Sequence, residues 1–345
     1  MTQSFRRIAL ARYLRGLPEP EDFSIVTDPL PQPADGELLI HNIYASIDPG
    51  TRARLSQGPS YLPPLKLGET VGAFNLGQVL ESRNPRFQPG DLVTWTCGWA
   101  EAGISNGRGY LARITDRSVP LAAWIGVLGI PGLTAYFGLS RLGQIAAGET
   151  VVVTSAAGMV GATAAQIAKL RGCRVVAVAG GPVKCAWLRE ELGIEQVVDH
   201  KAAADLGAAI AACCPDGVDV LFDNVGNASV DAILPLMRMN GRIVVSGQVG
   251  DYNLAGDQVH GIRNTRPFIT HRVRMQGLVV FDDLREFPAA QAELAGWLKA
   301  GKLKYREVRY QGLEQAPSAF RDVFEGRDFG RHLLQLAPEP GDAAA

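Results

Sequence analysis

Apolar and polar positions follow two different rhythms along this chain. Through residues 1–120 the apolar runs are short and proline and glycine interrupt them, with no long 3.6-residue period. Four runs read as strands, at 38–43, 77–81, 92–96 and 112–114. Turn signals separate them: Asp35-Gly36 before the first and Gln88-Pro89-Gly90-Asp91 before the third. Strands this short and this closely spaced predict a small, twisted, barrel-like β-rich domain. From 131 onward the rhythm changes. A buried helix is predicted to start in Pro131-Gly132-Leu133-Thr134 and to lead to a turn at Gly148-Glu149. Apolar strands then alternate with helical segments: strands at 151–153, 174–178, 196–199, 218–223, 241–247 and 274–281, and helices from the turn at 155–161 to 171 and at 202–213, 229–237 and 287–300. That alternation predicts a doubly wound parallel sheet. The tail carries one more strand, a helix at 316–324 and a strand at 331–336. Because the parallel sheet is already full, the tail is predicted to return and complete the first domain. The predicted division is 1–124 with 305–345, and 125–304, with a frayed end over 338–345.

The most informative stretch runs from 151 to 184. A β-branched run, Val151-Val152-Val153, meets the small-residue turn Ser155-Ala156-Ala157-Gly158-Met159-Val160-Gly161, and an alanine-rich helix and a second strand follow. Strand, tight turn, helix and strand within about thirty residues make a dinucleotide-binding βαβ unit of the Rossmann type. Gly158 and Gly161 let the backbone approach a pyrophosphate, and the helix N-terminus offers unpaired N–H groups and partial positive charge. The second strand ends in Ala179-Gly180-Gly181 with no acid to hold the adenosine ribose hydroxyls, and Lys184 follows three residues later. A missing acid beside a cation favours NADPH over NADH. The plainer reading makes Lys184 a solvated lysine, although a cation in a first helical turn opposes the helix dipole.

Ligands of such sheets bind outside the carboxyl ends of the strands. Two predicted loops lie there, Asp223-Asn224-Val225-Gly226 and Gln248-Val249-Gly250-Asp251-Tyr252-Asn253. Tyr252 is therefore a candidate phenol donor at the site. In the first domain, Ser46-Ile47-Asp48-Pro49-Gly50-Thr51-Arg52-Ala53-Arg54 follows a strand directly and carries an acid and two arginines, a composition suited to function or to surface salt bridges.

Composition narrows the picture. The 34 basic and 35 acidic residues give a net charge of −1 without charged blocks, which offers no electrostatic basis for binding nucleic acid or an anionic membrane. The N-terminal segment lacks the continuous apolar stretch of a signal peptide, and the apolar region near 119–139 is broken by Pro120 and Pro131, so neither predicts a membrane segment; a cytoplasmic protein is expected. The five cysteines, 97, 173, 185, 213 and 214, form no C-x-x-C pair, and His41, His200, His260, His271 and His332 do not cluster with them. No metal site is expected.

Taken together, these motifs resemble the zinc-independent medium-chain dehydrogenase/reductases. Within them the chain is most similar to the NADPH-dependent alkenal/one double-bond reductases, the branch of the prostaglandin (leukotriene B4) and curcumin reductases. The resemblance covers nearly the whole chain. It is carried by Ser46-Ile47-Asp48-Pro49, Glu81-Ser82-Arg83-Asn84-Pro85, Gly132-Leu133-Thr134-Ala135-Tyr136-Phe137-Gly138, residues 157–184, Asp223-Asn224-Val225-Gly226, residues 272–277 and Gly312-Leu313-Glu314. Where zinc alcohol dehydrogenases have a Gly-His-Glu resembling Gly68-Glu69, no histidine stands here.

The resemblance implies NADPH held by Ala157, Gly158, Met159, Val160 and Gly161, with Gly181 and Lys184 at the 2′-phosphate. It places Asn224 near the nicotinamide, Ser246 among the cofactor contacts, and His200 where the family has a tyrosine on the adenosine phosphate. Tyr252 matches the tyrosine proposed to assist protonation, and Gly50, Arg52, Tyr252 and Phe281 are the substrate candidates. Two departures stand out. The family's Asp-Pro-Tyr-Met-Arg is Asp48-Pro49-Gly50-Thr51-Arg52, which removes an aromatic wall. The tail's Gly-x-Asn-x-Gly-Lys is Gly326-Arg327-Asp328-Phe329-Gly330-Arg331, which puts Asp328, itself a cofactor candidate, in the place of an asparagine. The implied reaction is reduction of the C=C bond of an α,β-unsaturated ketone or aldehyde by a homodimer. Quinone reduction, carbonyl reduction and NADPH sensing without turnover stand as alternatives.

Overall fold

A computed structural model describes residues 4–58 and 62–340; residues 1–3, 59–61 and 341–345, the last being most of the segment read as frayed, lie outside the described residues. In chain order the strands are β1 (Ser4–Leu10), β2 (Phe23–Pro29), β3 (Leu38–Ser46), β4 (Phe74–Ser82), β5 (Leu92–Thr96), β6 (Ala102–Ser105), β7 (Ala112–Arg113), β8 (Thr150–Val153), β9 (Arg174–Ala179), β10 (Gln196–Asp199), β11 (Val218–Asp223), β12 (Met237–Val245), β13 (Arg274–Gly277), β14 (Glu307–Gln311) and β15 (Arg331–Gln335). The helices are α1 (Ile130–Phe137), α2 (Met159–Leu170), α3 (Pro182–Glu190), α4 (Leu206–Cys213), α5 (Asn227–Ile233), α6 (Arg266–Thr270), α7 (Phe287–Lys299) and α8 (Ala316–Glu325). The chain divides into two compact units, one of residues 1–125 with 307–345 and one of residues 126–306.

The first unit is built on a seven-stranded sheet in the order β14-β15-β3-β4-β5-β7, with β6 also paired to β3. The tail completes this sheet: β15 runs antiparallel to β3 through Leu333↔Ser46, Leu334↔Ala45 and Gln335↔Tyr44. Alternation along β3 puts Leu38 and Ile40 on one face, whereas the adjacent Leu333 and Leu334 of β15 face opposite sides of the sheet and pack into separate apolar clusters; all four are fully buried. Beside the sheet, Trp99 packs edge-on to Phe320 of α8 at 5.3 Å and tilts against Phe23 at 5.7 Å, while its Nε1 donates to the Ser46 carbonyl at 3.0 Å. A separate hairpin joins β1 to β2 from Ser4↔Pro29 to Leu10↔Phe23. Its strands were not expected, because Arg6 and Arg7 interrupt the apolar pattern. The structure shows how the charges are accommodated: Arg7 Nε reaches Asp28 at 2.6 Å, and Arg6 Nε reaches Glu101 at 2.9 Å.

The second unit holds a six-stranded sheet, all parallel, in the order β10-β9-β8-β11-β12-β13. Order reverses between β8 and β11, so the crevice of a doubly wound sheet lies at their carboxyl ends. Val152, Val176, Val178, Leu221 and Ile243 from the strands pack with Ile210, Val230 and Ile233 from the helices in one apolar cluster. Burial on this scale is what holds the helices against the sheet, at about 25 cal/mol per Å² of apolar surface. The predicted strand at 274–281 stops at Gly277. Residues Val280–Glu286 form a 3-10 segment, so Phe281 stands in that turn and not at a strand end. The helix predicted at 229–237 is Asn227–Ile233, closed early by Pro235 in a 3-10 turn that runs straight into β12. No helix among the described residues is long and apolar enough to cross a membrane.

Candidate functional site

Three strands that flank the crevice feed helices through glycine: Gly158 before α2, Gly181 before α3 and Gly226 before α5, each without a side-chain cap. By contrast α4, which follows β10, is capped by Asp205, whose carboxylate accepts from Ala208 N at 2.9 Å. An α-helix start with no capping side chain can offer its N–H groups to a ligand, with the helix dipole favouring an anion, although at α5 the Asn227 N–H is taken by Asp251. At α2 the turn is tightly built. Ser155 sits in the left-handed region with φ 47, and its carbonyl accepts from Gly158 N at 3.0 Å. A Cβ on Gly161 would come within 2.4 Å of that carbonyl and 2.8 Å of Ala156 Cα, so only glycine lets the helix close on the turn. Ala157 and Met159 bury their side chains, which leaves their backbone as the part a ligand can meet. The cradle therefore fits a pyrophosphate.

At the ends of β9 and β10 the structure brings together three of the candidate positions, Gly181, Lys184 and His200. A Cβ on Gly180 would fall 2.6 Å from His200 Nε2, so a larger residue there would push the His200 ring aside. Partial desolvation of the His200 ring lowers its pKa; Asp199 pulls it back up, and Lys201 and Lys184 push it further down. Gly181, at φ 91, has open space around its Cα. No acid ends β9, but Asp199, the last residue of the neighbouring β10, stands at the same edge, a position that the β9 sequence does not reveal. Its carboxylate accepts from Gly181 N and Lys201 N, both at 2.9 Å, and these backbone donors hold its pKa below the usual range, the Gly181 bond most of all. The acid at this edge is thus engaged with backbone, beside the cations Lys184 and Lys201.

The second focus lies beyond β8, β11 and β12. Thr154, fully buried, donates its hydroxyl to Asp223 Oδ1 at 2.7 Å. Asp223 also accepts from Gly226 N at 2.8 Å through Oδ2, which folds the 223–226 turn back on itself. Burial raises the Asp223 carboxyl from 3.8 to about 6 against those hydrogen bonds, with Asp251 adding to the rise. Asn224 donates its backbone N–H to Thr154 Oγ1 and its side-chain Nδ2 to the Thr154 carbonyl, each at 2.8 Å. The loop after β12 is tied to the same strand end, with Ser246 N donating to Asp223 O at 2.8 Å and Val249 N to Asn224 O at 3.1 Å. Gln248 N donates to the Tyr252 phenol oxygen at 3.3 Å. A Cβ placed on Gly247 would have Asn224 O at 3.4 Å and the Tyr252 hydroxyl at 3.7 Å, so Asn224 and Tyr252 flank one glycine. Asp251 Oδ2 meets Asn227 N at 3.3 Å at the start of α5, and a Cβ on Gly226 (φ 127) would clash with it at 2.2 Å. Thr154, Asp223 and Asp251 were not singled out from sequence; Asp223 was visible as a buried strand end, while Thr154 belongs to no spacing motif.

In the first unit, Gly50 is exposed in a 3-10 turn, Pro49–Arg54, with nothing near its Cα. Arg52 is buried. Its guanidinium donates to the carbonyl of Gly16 at 3.1 Å, and burial lowers its pKa, so it braces the 14–16 loop. Asp328 accepts from the N–H of Phe329 at 2.8 Å. Arg331 pairs with Asp48. A shallow concavity of about 430 Å³ lies on the second unit among Gln144, Asn240, Arg242, Arg272 and Arg274, on the amino-terminal half of β12 and β13, away from the carboxyl edge. Among the described residues no three His, Cys, Asp or Glu side chains gather as a metal site.

Residues 6–112 match the sequence family described as "N-terminal domain of oxidoreductase", and residues 160–296 match "Zinc-binding dehydrogenase". The chain is 39% identical to the NADPH-dependent curcumin reductase of Escherichia coli over 97% of its own length and 98% of that protein. It is 37% identical to the NADP(+)-dependent 2-alkenal reductase of Nicotiana tabacum, over 97% and 98%. The crystal structure of CurA in complex with NADPH from Vibrio vulnificus superposes with a TM-score of 0.90 at 37% identity, covering 97% of this chain and all of that one.

Proposed function

The chain belongs to the medium-chain dehydrogenase/reductase family, and on that premise we propose that it reduces the C=C bond of an α,β-unsaturated ketone or aldehyde with NADPH. The observation that carries this reading is the pairing of Asn224 and Tyr252 about Gly247 at the carboxyl edge, beside the uncapped start of α2. The backbone of residues 157–161 holds the pyrophosphate, Lys184 and His200 meet the 2′-phosphate beyond Gly181, and Asn224 and Ser246 line the nicotinamide end.

When bound, NADPH supplies the hydride that adds to the substrate's β-carbon. The electron pair of the alkene then moves toward the carbonyl, whose oxygen gains negative charge. The Tyr252 hydroxyl donates to that oxygen. Its contact with Gln248 N–H uses an oxygen lone pair and does not compete with donation. The α-carbon takes its proton from solvent or through Tyr252. The carbonyl already polarises the alkene, so a phenol donor in a preorganised loop suffices to stabilise the charge. Gly50 and Phe281 are kept as substrate positions and Asp328 as a cofactor position; Arg52, buried against Leu14 and Gly16, acts by holding its loop. We further assign the protein to the cytoplasm as a homodimer.

Incubating the protein with NADPH and a panel of enones, enals, a quinone and a saturated ketone, with product analysis, tests this reading. A saturated ketone or aldehyde formed from the enone or enal is the expected product. Exclusive reduction of the quinone, or an allylic alcohol from the enone, overturns it.

A further inference from the structure

We propose that Thr154 and Asp223 are positioning residues that lock the Asn224 side chain with its oxygen outward, as a hydrogen-bond acceptor for the nicotinamide riboside end of the cofactor. The inference rests on the cofactor reading above, and it follows from which atoms can donate. The Thr154 carbonyl can only accept, so the end of the Asn224 amide that lies 2.8 Å from it is the NH₂ group. Oδ1 therefore points the other way.

Two further bonds remove the remaining freedom. The single Thr154 hydroxyl proton goes to Asp223 Oδ1 at 2.7 Å, which turns an oxygen lone pair toward Asn224 N–H at 2.8 Å. Asp223 is in turn held by Gly226 N at 2.8 Å, and both Thr154 and Asp223 are fully buried, so neither side chain has room for a second rotamer. Asn224 itself is half-buried. An outward carbonyl oxygen repels phosphate oxygens and attracts donors. The donors of this cofactor near its reacting ring are the carboxamide NH₂ and the ribose hydroxyls. Asn224 thus distinguishes the nicotinamide end from the phosphates, which the N–H groups of α2 attract. One threonine serves both purposes: its backbone carbonyl orients the amide, and its hydroxyl ties the amide's backbone to Asp223.

The test is an equilibrium titration of NADPH, and of the analogue carrying an acetyl group in place of the carboxamide, by fluorescence. Wild type is compared with Thr154→Ser, Thr154→Val and Thr154→Ala, with thermal melting of each variant. Loss of one neutral hydrogen bond corresponds to a change of about two- to tenfold. Wild type and Thr154→Ser are expected to bind NADPH more tightly than the acetyl analogue by that factor. In Thr154→Val and Thr154→Ala the backbone carbonyl that orients the amide remains but the hydroxyl that ties Asn224 to Asp223 is lost, so the preference is expected to shrink measurably. Equal weakening of both cofactors in these two variants assigns the donor to a ribose hydroxyl and supports the proposal in that form. Wild-type affinities in both Thr154→Val and Thr154→Ala, or a Thr154→Ser variant that behaves like them, overturn it. Thr154→Ala decides the matter if Thr154→Val melts before it binds. The titrations use no substrate. A protein that binds as described and reduces no enone overturns the proposed reaction alone, whereas normal enone reduction with Thr154-independent binding overturns this inference alone.

Discussion

Arg331 donates through Nη1 to Asp48, two residues 283 positions apart in sequence that meet in the first unit just beyond the β3–β15 pairing. Arg331 is 4% exposed in its side chain, and its Nε and Nη2 have no hydrogen-bond partner among the described residues. Asp48 is therefore the counter-charge on which a buried guanidinium depends. Removing one member of a buried pair costs about 3–5 kcal/mol, because the other charge is left uncompensated. Asp48→Asn is expected to lower the urea midpoint accordingly, and the double variant Asp48→Asn/Arg331→Met to recover much of the loss. A single variant as stable as wild type would show that the pair carries no such dependence.

Tyr252 gives the sharpest kinetic prediction. Tyr252→Phe keeps the ring and removes the donor, so turnover of an enone is expected to fall about 10²–10³-fold, as for loss of one donor to a developing oxyanion. NADPH affinity should stay close to that of wild type. Steady-state rates and a cofactor titration on the same preparation separate the two effects.

Lys184 should decide cofactor choice. Lys184→Ala is expected to lower kcat/KM for NADPH by about 10- to 100-fold, the scale of a charge-assisted hydrogen bond of about 1.5–3 kcal/mol. The value for NADH should be nearly unchanged, and the NADPH preference of wild type should weaken with added salt. An equal loss for both cofactors would assign Lys184 to folding instead.

The glycines of the site divide by what a methyl group would meet. Gly161→Ala drives its Cβ to 2.4 Å from the Ser155 carbonyl, so α2 must shift from the turn, at a cost of about 1–3 kcal/mol and most of the NADPH affinity. Gly247→Ala places its Cβ at ordinary contact distances from Asn224 and Tyr252 and is expected to melt near wild type. Melting and cofactor titration of the two variants side by side check the contrast.

Asp223 makes stability fall with pH. Burial raises its carboxyl from 3.8 to about 6 in the folded protein, so the folded state keeps a proton that the unfolded chain has released. Across that window the unfolded state binds fewer protons. Stability contributed by this group is therefore full below the unfolded pKa and is lost as pH rises through the folded value, by about 3 kcal/mol. Urea unfolding at intervals between about pH 4 and pH 6.5 should show a steeper decline for wild type than for Asp223→Asn. Parallel curves would remove Asp223 as the cause.

The nucleotide unit was largely legible in sequence, because most of its strands carry a short apolar run and the turns into α2, α3 and α5 carry glycine. The runs at 196–199 and 218–223 are β10 and β11 to the residue. What local pattern could not supply were contacts made across the sheet. Arg6 and Arg7 obscured β1 because their acids lie at Glu101 and Asp28. Phe281 looked like a strand end because Leu278, Val279 and Val280 continue the apolar run, although backbone pairing stops at Gly277. Asn224 and Tyr252 stood out through the loops that carry them. Thr154 did not, since its importance arises only when β8 lies next to β11, and neither did the engagement of Arg52 with the 14–16 loop.

The place of β15 bears on how the protein is made. This strand sits between β14 and β3, and its Leu333 and Leu334 are fully buried. A growing chain emerging from the ribosome holds every strand of the nucleotide unit long before residues 331–335 appear. That inner unit is expected to fold first, while the amino-terminal β-strands wait with β3 open along one edge. Unpaired edges of this kind invite strand pairing with other chains. Synthesis rate and chaperone supply, more than final stability, should govern the yield of the folded protein.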